Sequence, residues 1–417
     1  MARNPRRDLV AGITVGMVAL PLALAFGNTS GMGAAAGLVT AIVAGVLAAV
    51  FGGSNVQVSG PTGAMTVVLV PIFGRFGSTG VLTVGVMAGV LLLVLAVAKA
   101  GRYMKLIPLP VIEGFTIGIA AVIALQQLPS ALGVEATGDK VLVTALSSLN
   151  DWAADPQWVP PLLALSVALP ILAIARIRPG LPMSLVAVIV VTLLATVSDA
   201  DATTIGAIPT GLPVPSLPGI PMADLSSLLL PAIAVAALAA LESLLSATVA
   251  DAISVGERHD SNRELFGQGI ANLASPLFGG IPATGAIART AVNVRAGAHS
   301  RLAAITQSIL LLLVVLVGTQ FVEHIPLAAL AGVLIATTIQ MVEVSSLRAL
   351  LVSTRGDACV LIVTALATVF LSLVIAVVLG LVFAGAYALH QVAKASRLDE
   401  ESLDGGDHAS EEVSLLD

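Results

Sequence analysis

The chain has 417 residues, of which 57 % are hydrophobic and only 11 % are charged, and its mean hydropathy is +1.02. A soluble domain of this size needs more charged side chains to cover its surface, so the composition excludes an ordinary water-soluble enzyme. The net charge of −6 does not describe a ligand site, because residues 398–417 carry eight acidic side chains and no lysine or arginine.

Long apolar runs predict an all-α polytopic membrane protein. They approach or reach the roughly 20 residues that a helix needs to cross a bilayer, whereas the buried strands of a soluble protein are about 4–8 residues long. The first run lacks the cleavage site of a signal peptide. About fourteen segments are predicted, some too short to span alone, near residues 8–30, 33–52, 60–73, 80–98, 108–128, 159–175, 181–197, 228–250, 265–278, 284–294, 302–319, 325–342, 357–372 and 374–394.

The basic residues support this segment count and orient the chain. With a cytoplasmic N-terminus, Arg75 and Lys140 fall outside, Arg289 falls within the membrane, and all other lysines and arginines fall on the cytoplasmic side. Cytoplasmic loops of membrane proteins are enriched in Lys and Arg in this way. The sequence therefore predicts a multi-pass protein of the inner (plasma) membrane with both termini in the cytoplasm.

Two short motifs recur in the same order in the two halves of the chain. Phe-Gly-Gly precedes segment 3 at residues 51–53 and segment 10 at residues 278–280, while Ile-Pro-Leu opens segments 5 and 12 at residues 107–109 and 325–327. Seven segments per half is an odd number, so the second copy must be inverted relative to the first. We predict a 7+7 inverted repeat, with the first repeat at residues 1–227 and the second at residues 228–394.

Helix breakers interrupt segments 1, 3 and 10. Pro21 and Gly27 flank Phe26, whose ring is a candidate wall of a site, although a lone aromatic there more often belongs to the core. Residues 59–66 and 279–286 each predict extended chain that enters the membrane and then a half-helix. Two facing half-helix starts offer free N–H groups and positive dipole ends, which suit an anion. Two ordinary surface loops are the alternative, which leaves the paired motifs unexplained.

Segment 8 carries an acidic residue, Glu242, in an otherwise apolar run, with Ser246 one turn further on the same helical face. A buried carboxyl group tends to bind a proton at neutral pH. We therefore interpret Glu242 as a candidate proton-coupling group. The alternative is a permanent ion pair with Arg289 that holds the two halves together.

Segment 10 carries Arg289, the one basic residue predicted to lie within the membrane. An arginine at this depth costs several kcal/mol unless it is paired or faces water, and it stays charged in nearly any site. It is a candidate for adding positive potential to an anion site. The alternatives are a structural ion pair, or a side chain that reaches the cytoplasmic surface near Arg295.

Catalytic and metal chemistry have little support in the sequence. The single cysteine, Cys359, lies in an apolar run, and no set of His, Asp, Glu or Cys has catalytic or metal-ligand spacing. Basic residues never cluster with aromatic ones, as a nucleic-acid-binding face would require. We expect no enzyme activity, no cofactor or metal, and no nucleic-acid partner.

These residues resemble the sulfate permease (SulP) family, the bacterial relatives of solute carrier family 26, over essentially the whole chain. The resemblance is carried by Pro21-x-x-x-Ala25-Phe26-Gly27, by Gly-Pro-Thr-Gly at 60–63, by Pro-x-Pro-x-x-x-Gly-Phe-Thr-x-Gly at 108–118 and by Gly-x-x-x-Arg-Thr-Ala-Val-Asn at 285–293. It implies a core domain and a gate domain, one anion site between segments 1, 3, 8 and 10, and elevator-like alternating access. It also implies a homodimer, and a cytoplasmic STAS domain to which the acidic cytoplasmic tail at 395–417 would link. The sequence is interpreted either as a truncated membrane domain or as a naturally short member, and truncation is favoured because residues 413–417 end without a closing feature.

The resemblance also implies which residues line the site. Many members have glutamine where this chain has Leu22 and serine where it has Ala288, so backbone amides and Arg289 would have to do more of the recognition. Sodium-coupled bicarbonate members lack the arginine and carry aspartate near the Glu242 position, which favours proton coupling here. The predicted substrate-binding residues are Phe26, Thr62, Gly63, Ala286, Ile287, Ala288 and Arg289, and the predicted proton-coupling residues are Glu242 and Ser246.

The sequence thus predicts a secondary active anion transporter, with proton-coupled symport of a small inorganic or carboxylate anion such as sulfate, bicarbonate or fumarate. An uncoupled anion channel or an anion exchanger is the main alternative. A nucleobase transporter would share the architecture but is expected to place further acidic residues on segment 10, where this chain has Arg289.

Overall fold

The structure is a computed structural model, and it describes residues 4–106, 108–135, 140–178, 181–219, 225–254, 258–371, 379–380, 382–383 and 385. Predicted segment 14, at residues 374–394, lies almost wholly outside the described residues. The acidic tail at 395–417 lies wholly outside them.

Helices account for most of the described residues, as the long apolar runs predict. Their bounds are α1 (Pro5–Thr29), α2 (Ala34–Phe51), α3 (Gly63–Val97), α4 (Leu109–Gln126), α5 (Leu128–Leu132), α6 (Val141–Ala154), α7 (Val159–Ile177), α8 (Met183–Val197), α9 (Leu225–Ile253), α10 (Ser261–Leu277), α11 (Ile287–Arg295), α12 (Leu302–Val317), α13 (Thr319–Val322), α14 (Leu327–Met341), α15 (Val344–Ser353) and α16 (Arg355–Phe370), with a 3₁₀ turn at Ala100–Leu106.

The helices have the length and composition of membrane spans. Within the described residues, seven helical stretches are long and apolar enough to cross a bilayer, and α8 and α12 are apolar but shorter. Large apolar side chains such as Leu313 and Leu316 are exposed on α12, which lipid tolerates and water does not. The prediction of an all-α polytopic membrane protein is confirmed.

Predicted segments 3 and 4 form one hydrogen-bonded stretch, α3, with a break inside it. A straight helix of 35 residues would be about 52 Å long, far more than the roughly 30 Å of a bilayer's hydrocarbon core. Gly77 interrupts the helix at φ 64° and ψ −164°, a conformation that glycine adopts at little cost. The break leaves a half-helix from Gly63 and a separate span that ends at Val97.

Two helices lie where the sequence predicted loops. α6 exposes Leu142, Val143 and Leu146, and α15 has no buried residue. Both are short, at 14 and 10 residues, so neither carries an apolar run of membrane length. Hydropathy alone therefore missed them.

Two short strands meet inside the helical protein. β1 (Ser59–Gly60) pairs antiparallel with β2 (Thr284–Gly285), so that Gly60 lies opposite Thr284 and Ser59 opposite Gly285. Each strand leads into a helix, α3 from Gly63 and α11 from Ile287. The predicted order of extended chain and then half-helix is confirmed for segments 3 and 10, and the pairing brings both helix starts together.

The chain separates into two compact units. The larger unit comprises Met1–Leu106 and Ile119–Val342, and contains both strands and both half-helices. The smaller comprises Ile107–Gly118 and Glu343–Asp417. Within the smaller unit, a methyl group at Gly118 would lie 2.5 Å from Cβ of Thr368, so α4 and α16 touch at a glycine, as closely packed membrane helices do. The proposed repeat boundaries at residues 227 and 394 stay a prediction.

Candidate functional site

One polar face of α10 holds the irregular chain on both sides of the strand pair. Glu264 Oε2 accepts hydrogen bonds from the N–H of Gly53 (2.9 Å) and of Ser54 (3.2 Å). Gln268 Nε2 donates to Ser59 Oγ at 2.7 Å. Asn272 donates to the carbonyl of Ala283 and accepts from its N–H, both at 2.9 Å. The three side chains lie four residues apart, which places them on one helical face.

The sequence analysis did not identify this face of α10. The available signal was a polar residue at every fourth position, beginning just before predicted segment 9 and continuing into it, since such residues in membranes must find partners. The hydrogen bonds explain how non-helical chain is stable here: protein groups satisfy its buried backbone.

Side chains of α2 and α11 complete this support. Thr40 Oγ1, on α2, accepts from the N–H of Ile281 at 2.7 Å. On α11, Thr290 Oγ1 accepts from the N–H of Val58 at 3.0 Å, and Asn293 Nδ2 donates to the carbonyl of Val56 at 2.7 Å. The chain that leads into β1 is therefore bonded along α11, so the two broken segments form one body.

The two half-helices begin without side-chain caps. Thr62 is the N-cap residue of α3 and Ala286 that of α11, and neither makes a side-chain capping hydrogen bond. The first N–H groups of a helix have no partner within the helix, and together with the helix dipole they favour an anion. Of the predicted residues on α11, Ala286 is buried, Ile287 is half-buried and Ala288 is exposed.

Phe26 lies at the start of α3. Its side chain is buried, and a methyl group at Gly63 would lie 3.1 Å from Cε1 of the ring. Ile123 approaches the same glycine from α4. The structure thus brings Phe26 and Gly63 together, with the ring packed against the end of the half-helix.

Glu242 lies between the two broken segments. Its Oε2 accepts a hydrogen bond from Thr62 Oγ1 at 2.7 Å and from Thr284 Oγ1 at 2.6 Å, and the two hydroxyl oxygens are 3.2 Å apart. Thr284 was not among the predicted site residues. The signal that would have found it is the tripeptide Thr-Gly-Ala, which occurs at residues 62–64 and again at 284–286.

Ser246 shares a helical face with Glu242 but has a different partner. Its Oγ donates to Thr290 Oγ1 at 2.9 Å, and Ser246 is fully buried. The neighbouring Ser243 accepts from the N–H of Gly285 at 2.8 Å. These contacts fix α9 to α11 and β2. Ser246 therefore helps to position α9 against α11, and it makes no hydrogen bond to Glu242 among the described residues.

Arg289 is buried against β1, with 1 % of its side chain exposed. Its Nη2 donates to the carbonyl of Pro61 at 2.6 Å, and its Nη1 has no hydrogen-bond partner among the described residues. A methyl group at Gly60 would lie 2.7 Å from Nη1, so the glycine makes room for the guanidinium. This burial does not fit a side chain that reaches the cytoplasmic surface.

Glu242 and Arg289 do not form an ion pair in the structure. Across the described ranges, the one pair of a basic and an acidic side chain with nitrogen and oxygen within 4.0 Å is His259 with Asp251, at 2.7 Å. Glu242 instead accepts from neutral hydroxyls, and Arg289 donates to a neutral carbonyl. The two charges therefore stay separate, one acidic and one basic, beside two helix starts that lack side-chain caps.

No group of three or more His, Cys, Asp or Glu that could hold a metal occurs in the described part of the chain. The arrangement brings together polar donors, one buried cation and one partly exposed carboxyl group. It suits reversible binding of an anion and a proton.

Comparison with known proteins identifies the family. The pattern of the Sulfate permease family matches residues 6–364. The putative sulfate transporter YvdB of Bacillus subtilis is 38 % identical over 410 residues, which cover 95 % of this chain and 76 % of YvdB. The bicarbonate transporter BicA of a Picosynechococcus species is 34 % identical over 428 residues, which cover 99 % of this chain and 75 % of BicA.

A solved structure shows the same fold. The transmembrane domain of a cyanobacterial bicarbonate transporter BicA matches with a TM-score of 0.81 and 33 % sequence identity, and the match covers 90 % of this chain and 98 % of that domain. The family match spans most of the chain, and the relatives it resembles are transporters. The chain therefore belongs to the sulfate permease family, and it is an anion transporter and not an enzyme.

Proposed function

We propose that the protein is a secondary active transporter that carries a small anion together with a proton. The relatives are named for sulfate and bicarbonate, so the substrate class is a small oxyanion or carboxylate, with sulfate, bicarbonate and fumarate as the first candidates. The observation that carries the proposal is the carboxyl group of Glu242, bonded to Thr62 and Thr284 at the entrances of the two half-helices.

Anion binding rests on the uncapped helix starts. The first-turn N–H groups of α3 and α11 have no side-chain cap, and a charged acceptor makes the strongest hydrogen bonds with such groups. Arg289 adds a positive charge directly behind β1, where burial limits screening by water and salt. The exposed Ala288 leaves the start of α11 accessible.

Proton coupling rests on the carboxyl group at the same place. An ionised Glu242 and a bound anion would be two like charges that share one set of donors, which raises the free energy of the doubly charged state. Protonation of Glu242 removes that repulsion. Anion binding and proton binding therefore favour each other, and by linkage each raises the affinity for the other.

The transport cycle, the partners and the cellular location complete the proposal. We infer elevator-like alternating access of a core domain against a gate domain, as the family resemblance implies. The lipid bilayer is the plasma membrane, with both termini in the cytoplasm, and the protein is a homodimer. An anion exchanger or an uncoupled channel would use the same positive site but would not need Glu242.

The test is uptake into proteoliposomes from a panel of radiolabelled sulfate, bicarbonate and fumarate. We expect the wild type to accumulate at least one of them above equilibrium when the lumen is more alkaline than the outside, and Glu242→Gln to equilibrate without accumulation. Glu135→Gln, at an exposed carboxyl group, is the matched control and should behave as the wild type. Accumulation by Glu242→Gln equal to that of the wild type would refute the coupling role, and unitary currents in a planar bilayer would indicate a channel.

A further inference from the structure

We propose that the hydroxyl groups of Thr62 and Thr284 transmit the protonation state of Glu242 to the anion, by donating to Glu242 when it is charged and to the anion when it is protonated. The proposal rests on the proposed function, and it adds Thr284 as a residue that sets coupling.

The geometry limits how many hydrogen bonds these groups can make at once. Three contacts join the two hydroxyls and Glu242 Oε2, at 2.7, 2.6 and 3.2 Å. Each threonine hydroxyl has a single proton to donate. When Glu242 is ionised, both protons point to Oε2, and neither is left for another acceptor.

Protonation of Glu242 changes which acceptor is the better one. A hydrogen bond to a charged group is roughly twice as strong as one between neutral groups. With the carboxylate neutralised, a bound anion becomes the charged acceptor near the helix starts. The hydroxyl proton turns by rotation about the C–O bond alone, so the exchange of partners needs no movement of the side chain.

The two threonines stand where such a rotation reaches the anion. Thr62 is itself the N-cap residue of α3; its hydroxyl donates to Glu242, and it makes no capping hydrogen bond. Thr284 precedes the N-cap of α11 by two residues and lies opposite Gly60 in the strand pair. At the start of each half-helix, one threonine hydroxyl thus donates a hydrogen bond to the Glu242 carboxylate.

Among the described residues, Glu242 has no ion-pair partner within 4.0 Å. Arg289, on α11, is the charged side chain that acts on it electrostatically within the described residues. The acidic residue on α10, Glu264, is occupied by the N–H groups of Gly53 and Ser54. The groups on α3 and β2 that face Glu242 are the two threonine hydroxyls, so these hydroxyls are its direct link to both helix starts.

The experiment measures the apparent KM for anion uptake at low and at high external pH, using the member of the sulfate, bicarbonate and fumarate panel that the wild type accumulates. We expect the wild-type KM to rise with pH by about tenfold or more, as loss of a charge-assisted hydrogen bond implies. Thr284→Val, which keeps the shape and removes the hydroxyl, should reduce this ratio several-fold, and Thr284→Ser should restore it. Thr62→Val is the independent second variant.

Thr248→Val is the matched control, because Thr248 lies on the same helix as Glu242 and its hydroxyl donates to the carbonyl of Leu244 within that helix. It should keep the wild-type ratio. A wild-type ratio in both Thr284→Val and Thr62→Val, with Glu242→Gln insensitive to pH, would overturn this inference and leave the proposed function intact. A wild type whose KM does not depend on pH would overturn both.

Discussion

Arg289 donates a hydrogen bond of 2.6 Å to the carbonyl oxygen of Pro61, so the buried arginine of one broken segment is bonded to the backbone of the other. Gly60, beside Pro61, has no side chain to displace the guanidinium. The positive charge therefore depends on residues from both halves of the chain. Both broken segments have a short strand followed by a half-helix, whereas the arginine lies on the second, and this contact joins it to the first.

Replacement of Arg289 by alanine should strongly reduce transport. Arg289→Ala leaves the carbonyl of Pro61 without its donor and takes the positive charge from the site, so we expect anion uptake to fall by at least about tenfold. Arg289→Lys keeps the charge but not the planar fork and should retain part of the uptake. Arg295→Ala, at an exposed position of the same helix, is the control. Normal uptake by Arg289→Ala would refute the arginine's role.

Gly60→Ala should act on the same contact from the other side. The added methyl group would lie 2.7 Å from Arg289 Nη1, and Gly60 has a φ of 157° that residues with a side chain rarely adopt, so the guanidinium, the backbone or both must move. We expect uptake to be lost while the protein still elutes as a single species from a sizing column. Gly74→Ala is the control, because a methyl group there meets nothing within 4 Å. Equal uptake by the two variants would contradict the predicted geometry.

Asn272→Ala should weaken the support of β2. The substitution leaves the buried N–H and C=O of Ala283 without the partners that Asn272 supplies, and each unsatisfied group costs roughly 1–3 kcal/mol. We expect a clearly lower Tm in detergent together with reduced uptake. An unchanged Tm in Asn272→Ala would contradict the supporting role of Asn272.

Much of the fold could be predicted because hydropathy and helix breakers act locally. The spans follow from apolar runs, and the half-helices from Gly60, Pro61 and Gly285, whose backbone preferences are set by the residues themselves. α6 and α15 were missed because each is short and carries no long apolar run of its own.

The candidate site was only partly predictable, because its contacts join residues far apart in the chain. Glu242 and Arg289 stood out as charges in apolar segments, but the partners of Glu242 did not. Ser246 was grouped with Glu242 from helical spacing, whereas the structure bonds it to Thr290. Thr284 was recognised as a site residue only from its hydrogen bond to Glu242, which joins β2 to α9.

The most direct test of the central claim is proton movement driven by the anion. Proteoliposomes that hold a pH-sensitive dye are given an inward gradient of the anion that the wild type accumulates, with the membrane potential clamped. We predict that the lumen acidifies with the wild type and stays at its starting pH with Glu242→Gln, because a permanently neutral side chain carries no proton. Equal acidification with both proteins would contradict the assignment of Glu242 as the coupling group.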